Sequence, residues 1–316
     1  MLQINQLKVK IAVTINILGL KKGLMYLFYL SLYRLFRTKF VNFAYDMFYK
    51  KHEIMSDFIE YLDKQENVRI QKLIPKQIVS NNVIWVFWFQ GEKYMPEIVR
   101  ICIESVRKHS CGYSVVLLDK DNISDYLDLP VMKKINHGMT YTNFSDYLRL
   151  SLLTAYGGIW IDATMFVTDD IKKQVGDFDF YTIKNVREKL YCISEYRWSI
   201  SFLKCNKDND FIFQAYRLFC SYWSLYDRQF EYALLDYILA YLVENKGFQP
   251  LIDSVPLNNP RTYKNNLFDM LGEKYEEKKC DEILKTTWLH KLAHYKSFKK
   301  EVDGVQTFYG KLQNLI

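Results

Sequence analysis

The sequence predicts an α/β fold built on a Rossmann-like parallel sheet, and three observations carry that expectation. Val83 to Phe89, VIWVFWF, is a continuous apolar run rich in strand-forming residues, the pattern of a strand buried on both faces. A helical stretch, Glu97 to Lys108, separates it from a second apolar run, Ser114 to Leu118, and parallel strands need such a crossover. A third apolar run, Ile159 to Ile161, follows a helix closed by two glycines and ends in an acid, Asp162. In such sheets ligands bind beyond the carboxyl ends of the strands. That rule sets Trp88, Gln90, Asp119 and Asp162 on the expected binding edge.

Taken in order, the chain opens on a basic arm. Residues 1 to 51 hold nine Lys or Arg against one acid, Asp46, so with a formal charge of +7 overall the remainder is near neutral, at −1. A nucleic-acid binder would carry its charge through the folded body, so nucleic acid is not the expected partner. The arm's longest uncharged run is the 11 residues from Gly23 to Tyr33, too short for the roughly 20 that span a bilayer. Lysines follow its first apolar run where a cleaved signal peptide would have small residues. A basic, aromatic, amphipathic segment suits a helix lying on an anionic membrane surface. A helical hairpin folded on the main domain is the competing reading.

Periodicity predicts a helix over Glu53 to Leu73, stopped by Pro75. After the first two strands, residues 121 to 142 read as a connection with short helical pieces. Asn143 or Ser145 is then expected to cap a helix reaching about Tyr156. Phe178 to Ile183 and Tyr191 to Glu195 read as strands, Asn209 to Tyr226 and Tyr232 to Glu244 as helices, and PLNNP, residues 256 to 260, as a loop. No Gly/Ser/Pro linker interrupts the later chain, so 1–74 is the expected arm and 75–316 one domain. Six cysteines without a CxxC pair argue against a zinc knuckle or a disulfide framework.

The chemistry concentrates in FSDYLRLSLLTAYGGIWIDATMF, residues 144 to 166. Asp146 and Arg149, three apart on a helix, face one side. Alone they would be a surface ion pair worth about 0–1 kcal/mol. Asp162 at a strand end adds a second carboxylate, and an arginine beside two carboxylates suits a ligand with hydroxyls and an anionic group. Asp236, in the apolar run ALLDYIL, must either meet a buried partner or line a pocket.

Four blocks in order, IWVFWFQGEKYMPEIVRICIESV, the 144 to 166 stretch, ALLDYIL and WLHKLAHYK, resemble those of the bacterial capsular polysaccharide synthesis glycosyltransferases. These are relatives of the DXD-containing sugar transferases of the GT-A fold. The resemblance covers about residues 75 to 297 and implies that Trp88 stacks on uracil. It also implies that Asp146 and Arg149 touch the donor sugar and phosphate, and that Asp162 contacts the ribose and organises a divalent cation, Mn²⁺ or Mg²⁺. Thr164 stands where the second acid of DXD would be, and a hydroxyl is a poorer ligand for such a cation. His290, with His294 as the nearby alternative, would complete the metal site, or Lys291 would neutralise the diphosphate instead. The implied function is transfer of a hexose, galactose or glucose, from a UDP-sugar to a lipid-linked saccharide acceptor. The expected place is the cytoplasmic face of a bacterial membrane, with retention of configuration through front-face attack. The competing reading is a membrane-surface scaffold with a degenerate donor site. IWIDAT also resembles a haloacid-type phosphatase motif, but that chemistry needs a second acid at position 164.

Overall fold

The computed structural model describes residues 2–65, 68, 70–186, 192–259 and 266–316. Its N-terminal region is three helices, α1 (Leu2–Leu18), α2 (Leu20–Phe36) and α3 (Val41–Asp63). α1 and α2 form a hairpin, and at Gly23 a β-carbon would lie 2.9 Å from the Ile15 Cα, so only glycine lets the two backbones approach. α3 buries Met55, Ile59 and Leu62 completely. It packs on the helical layer formed by residues 210–245.

Polar contacts fix that packing. Glu231 lies 3.0 Å from the Lys51 Nζ and also accepts the Tyr26 hydroxyl. Asp63, at the end of α3, accepts from Lys246 at 2.6 Å, from the Tyr241 hydroxyl at 3.1 Å and from Arg217. These anchors explain a difference from the expected helix over 53 to 73. The helix starts earlier, at Val41, and stops where Asp63 is held. Beyond it the Gln71 carbonyl accepts the Tyr216 hydroxyl at 2.9 Å.

The hairpin reading of the arm therefore describes its inner face. Its outer face is different, because Leu20, Leu24, Phe28 and Leu35 form an exposed apolar stripe along α2. Lys21, Lys22, Arg34 and Arg37 are exposed beside it. Among the described residues no helix is long and apolar enough to cross a membrane.

The central sheet contains β1 (Val83–Phe87), β2 (Ser114–Leu118), β3 (Gly158–Ile161) and two later strands, Phe180–Thr182 and Phe202–Cys205. With the short strand β4 (Met165–Val167) counted between, those two are β5 and β6. The order is β2-β1-β3-β6-β5. β1 runs parallel to β2 and β3, as expected, whereas β6 is antiparallel to both β3 and β5. The sheet is thus mixed rather than wholly parallel.

Of the two expected later strands, the first is β5. The second falls partly outside the described residues, and residues 192–195 lead into and form a turn. The strand lies instead at Phe202–Cys205, where Lys204 interrupts the apolar pattern. Its buried ammonium finds backbone carbonyls, Gly176 at 3.1 Å and also Phe178, which is how a strand interior accommodates it.

Helices α4 (Glu97–Lys108), α5 (Tyr141–Tyr156), α6 (Ile171–Val175), α7 (Asp210–Leu225) and α8 (Leu234–Asn245) follow in chain order. α5 is capped by Thr140, not by Asn143 or Ser145. The Thr140 hydroxyl accepts the Asn143 N–H, and the Asn143 side chain accepts the Thr140 N–H, both at 3.2 Å. Asn143 is the reciprocal half of this box. At the other end Gly157 and Gly158 hold φ of 70° and 91°. A β-carbon at Gly158 would lie 2.5 Å from Val83 Cγ1, so the glycine pair lets β3 sit against β1. A separate antiparallel ladder joins β4 to β7 (Leu289–Lys291), with Met165 opposite Lys291 and Phe166 opposite His290. It brings the late chain to the segment just after Asp162.

Candidate active site

Asp162 leaves the carboxyl end of β3, its N–H bonded to the Ser201 carbonyl at 2.9 Å. Its carboxylate gathers three donors from three elements. Oδ1 accepts Arg149 Nη2 from α5 and Trp160 Nε1 from β3, each at 2.9 Å, and Oδ2 accepts Lys291 Nζ from β7 at 2.7 Å. Trp160 reaches the acid because residues two apart on a strand share a face. The same indole ring carries the Arg149 guanidinium 4.9 Å from its centroid.

Arg149 Nη1 donates to Asp146 at 2.6 Å, and these two side chains are only 3% and 5% exposed. The pair is therefore not the surface ion pair that spacing alone would allow. Asp236 accepts Trp198 Nε1 at 3.0 Å, and its charge is felt by Asp146 and Arg149. Of the two alternatives for Asp236, the structure shows a buried partner, Trp198.

Charges in this cluster oppose one another. Burial would raise the Asp162 carboxyl, but Lys291 and Arg149 outweigh it and hold it well below the usual range. Burial pushes Asp146 up to about 7 against the pull of Arg149, with Asp236 and Asp162 adding to the rise. Burial likewise raises Asp236 to about 6, against the Trp198 bond and Arg149. Raised values mean that protons bind as the pH falls through 7 and 6, weakening the carboxylate hold on Arg149. Activity is accordingly expected to fall with decreasing pH across that window. A pH profile of kcat/KM checks this, and a profile flat from pH 8 to 5 would contradict it.

On the neighbouring edge, Trp88 leaves β1 half-buried, with the His294 ring edge-on at 5.1 Å between centroids. Its indole Nε1 is buried and has no hydrogen-bond partner among the described residues. Phe89 packs on Tyr141, in the first turn of α5, at 4.4 Å. Gln90 is exposed beside them. Asp119 follows β2, where its Oδ1 accepts the N–H groups of Asp121 at 2.9 Å and Asn122 at 3.1 Å, so one of its oxygens shapes the turn. Trp88, Gln90 and Asp119 thus stand at the carboxyl edge of the sheet.

His290 does not join them. Neighbours on a strand face opposite ways. Lys291 points to Asp162, and His290 is fully buried on the other side of the ladder, its ring 6.2 Å from that of Phe166. Burial lowers its pKa to about 4, against the opposing effect of the Thr287 backbone. Among the described residues no three His, Cys, Asp or Glu side chains gather as a metal site. With both Asp162 oxygens held by cations and Thr164 neutral, these residues do not fit a resident Mn²⁺ or Mg²⁺.

The sequence reading missed two contributors. Trp160 was visible in principle, two residues before Asp162 on the same strand face. Trp198 reaches Asp236 from a distant turn and left no local signal. Asn258 bonds the Lys184 N–H at 3.0 Å and the Thr182 carbonyl at 2.8 Å, so it anchors its loop to the end of β5.

A family model described as "Capsular polysaccharide synthesis protein" matches residues 37–312. The chain belongs to that family. The match begins inside the arm, at the loop before α3, consistent with the packing of α3 on the body. Among similar proteins, the O-glycosyltransferase braB of Annulohypoxylon truncatum is 34% identical over 102 residues, covering 28% of this chain and 24% of the relative. The uncharacterized glycosyltransferase L373 of Acanthamoeba polyphaga mimivirus is 27% identical over 116 residues, covering 33% of this chain and 45% of the relative. The chain therefore spans less than half the length of these curated relatives. The solved PaToxG glycosyltransferase aligns with a TM-score of 0.37 at 14% identity, over 65% of this chain and 83% of that one.

Proposed function

We propose that this family member is a GT-A-type glycosyltransferase that moves a hexose, galactose or glucose, from a UDP-sugar to a lipid-linked saccharide in capsule or surface polysaccharide synthesis. The observation that carries the reading is the Asp162 carboxylate, held at a strand end by Arg149, Trp160 and Lys291, with the half-buried Trp88 on the neighbouring strand end. Trp88 would take the uracil and Asp162 the ribose, while Asp146, Arg149 and Asp236 frame the donor sugar. Lys291, 30% exposed and on a flexible four-carbon stem, would turn from Asp162 to the diphosphate.

In the step itself the acceptor hydroxyl oxygen bonds to the anomeric carbon as the bond from that carbon to the β-phosphate oxygen breaks. The diphosphate leaves with the electron pair and takes the hydroxyl proton on the same face, which retains configuration. Stabilising the charge on the departing UDP is the main catalytic term, supplied here by Lys291 and Arg149. Isothermal titration with UDP tests the reading. Binding is expected with Mn²⁺ and also with EDTA, and Lys291→Met should weaken it by about tenfold, the scale of a lost charge-assisted hydrogen bond. No UDP binding in either condition would favour a non-catalytic scaffold.

The exposed stripe on α2 with its flanking Lys and Arg supports a peripheral seat on the anionic cytoplasmic face of the membrane. Leu24→Glu with Phe28→Glu is expected to abolish co-sedimentation with phosphatidylglycerol vesicles. Both side chains are solvent-facing, so the fold should persist. Unchanged co-sedimentation would remove the membrane seat from the reading.

A further inference from the structure

A cavity of about 800 Å³ lies between α1, the loop before α5 and the turn joining α7 to α8. Its volume falls within the roughly 300–1,000 Å³ of small-molecule sites. Trp88, Asp162 and Lys291 do not line it, so it is distinct from the nucleotide edge. The two are nevertheless neighbours through the first turns of α5. Tyr141 packs on Phe89, next to Trp88, while Asn143 lines the cavity one turn before Asp146.

The polar part of the lining has one chemical character. Lys10 from α1 and Arg228 from the α7–α8 turn both face it, and among the described residues it contains no Asp or Glu. Neither cation is ion-paired to a carboxylate among the described residues. Lys10 is half-buried, and burial, with Arg34 nearby, lowers its pKa. The acid whose charge Lys10 feels, Glu231, is already bonded to Lys51 and Tyr26. Carboxamides of Gln6, Asn136 and Gln229 add neutral donors and acceptors. The Gln229 Oε1 is buried with no partner among the described residues, while its nitrogen donates to the Tyr232 carbonyl at 3.2 Å and to that of Glu231.

Two cations without a carboxylate partner among the described residues call for an anion, and the carboxamides beside them call for hydroxyls. We propose that this cavity is the acceptor subsite and takes a phosphorylated saccharide, with Lys10 and Arg228 on the phosphate and the exposed carboxamides of Gln6 and Asn136 on sugar hydroxyls. Its role as acceptor site rests on the glycosyltransferase reading, whereas the binding itself does not. The phosphate comes either from a lipid-linked saccharide diphosphate or from a free sugar phosphate. In the first case the α1 wall belongs to the same hairpin that carries the apolar stripe, which would keep the lipid beside the membrane.

Titration calorimetry on the full chain tests this with farnesyl diphosphate-linked N-acetylglucosamine, free N-acetylglucosamine 1-phosphate and neutral N-acetylglucosamine. At least one phosphorylated probe is expected to bind, and preference between the two identifies the source. Lys10→Met with Arg228→Met should weaken that binding by at least about tenfold, with UDP affinity unchanged. Gln229→Glu, which adds a negative charge to the lining of the cavity, should weaken it independently. Failure of both phosphorylated probes on the wild type, equal binding by the double variant, or a parallel loss of UDP affinity would overturn the proposal. If phosphosaccharide binding is lost as expected but UDP binds to no form, the donor reading fails and this site stands.

Discussion

Asp162→Asn is expected to lower sugar transfer by about 100-fold or more, the scale seen when one preorganised electrostatic group is removed from a reacting centre. The substitution keeps the shape of the side chain but replaces Oδ2 or Oδ1 with an amide donor, which cannot accept from Lys291 and Arg149 together. Lys291 then loses its counter-charge and Arg149 one of its two carboxylates. Asp162 is partly exposed, at 23%, so water can replace part of what is lost and the fold should hold. Turnover with UDP-glucose and UDP-galactose, beside circular dichroism of the same preparation, reads the result. Near wild-type turnover in a folded variant would remove Asp162 from the site.

Arg149→Met carries the largest expected effect on stability. The guanidinium is 3% exposed, bonded to Asp146 and Asp162 and stacked on Trp160. Removing one partner of a buried ion pair leaves an uncompensated charge, and such losses run to about 3–5 kcal/mol. Asp146 is the group left stranded, and combining Arg149→Met with Asp146→Asn should recover part of the loss because the two changes share one interaction. Urea unfolding of the two single variants and the double measures it. A single-variant loss below about 1 kcal/mol would mean that the pair behaves like an exposed one. Lysine is not a conservative test here, since one ammonium cannot bridge two carboxylates in the fork geometry of arginine.

The sheet edge was legible because its signals are local. Continuous apolar runs gave β1 and β3, the crossover helix gave their parallel relation to β2, and an acid at a strand end gave Asp162 its place. What the chain hid was whatever depends on distant partners. Lys204 disguised β6 because its ammonium is satisfied by carbonyls some 26 to 28 residues away in the chain. The arm disguised α3, since a basic amphipathic pattern does not distinguish a membrane face from a neighbouring helix. Here α3 meets α7 and α8, and the apolar stripe of α2 remains outward. His290 and Lys291 were both plausible partners for Asp162, and strand alternation in a ladder not foreseen from the sequence separates them.

That ladder also bears on how the protein comes into being. Lys291 closes on Asp162 across 129 residues of chain, whereas Arg149 and Trp160 are already in reach once β3 has formed. As domains emerge from the ribosome N-terminal end first, a nascent chain can build the sheet edge and its carboxylate long before β7 exists. The Lys291 ammonium arrives only once β7 has been made. A chain made only as far as the sheet would therefore present an acid held by Arg149 and Trp160 alone, and its second counter-charge would come with β7 rather than with the sheet.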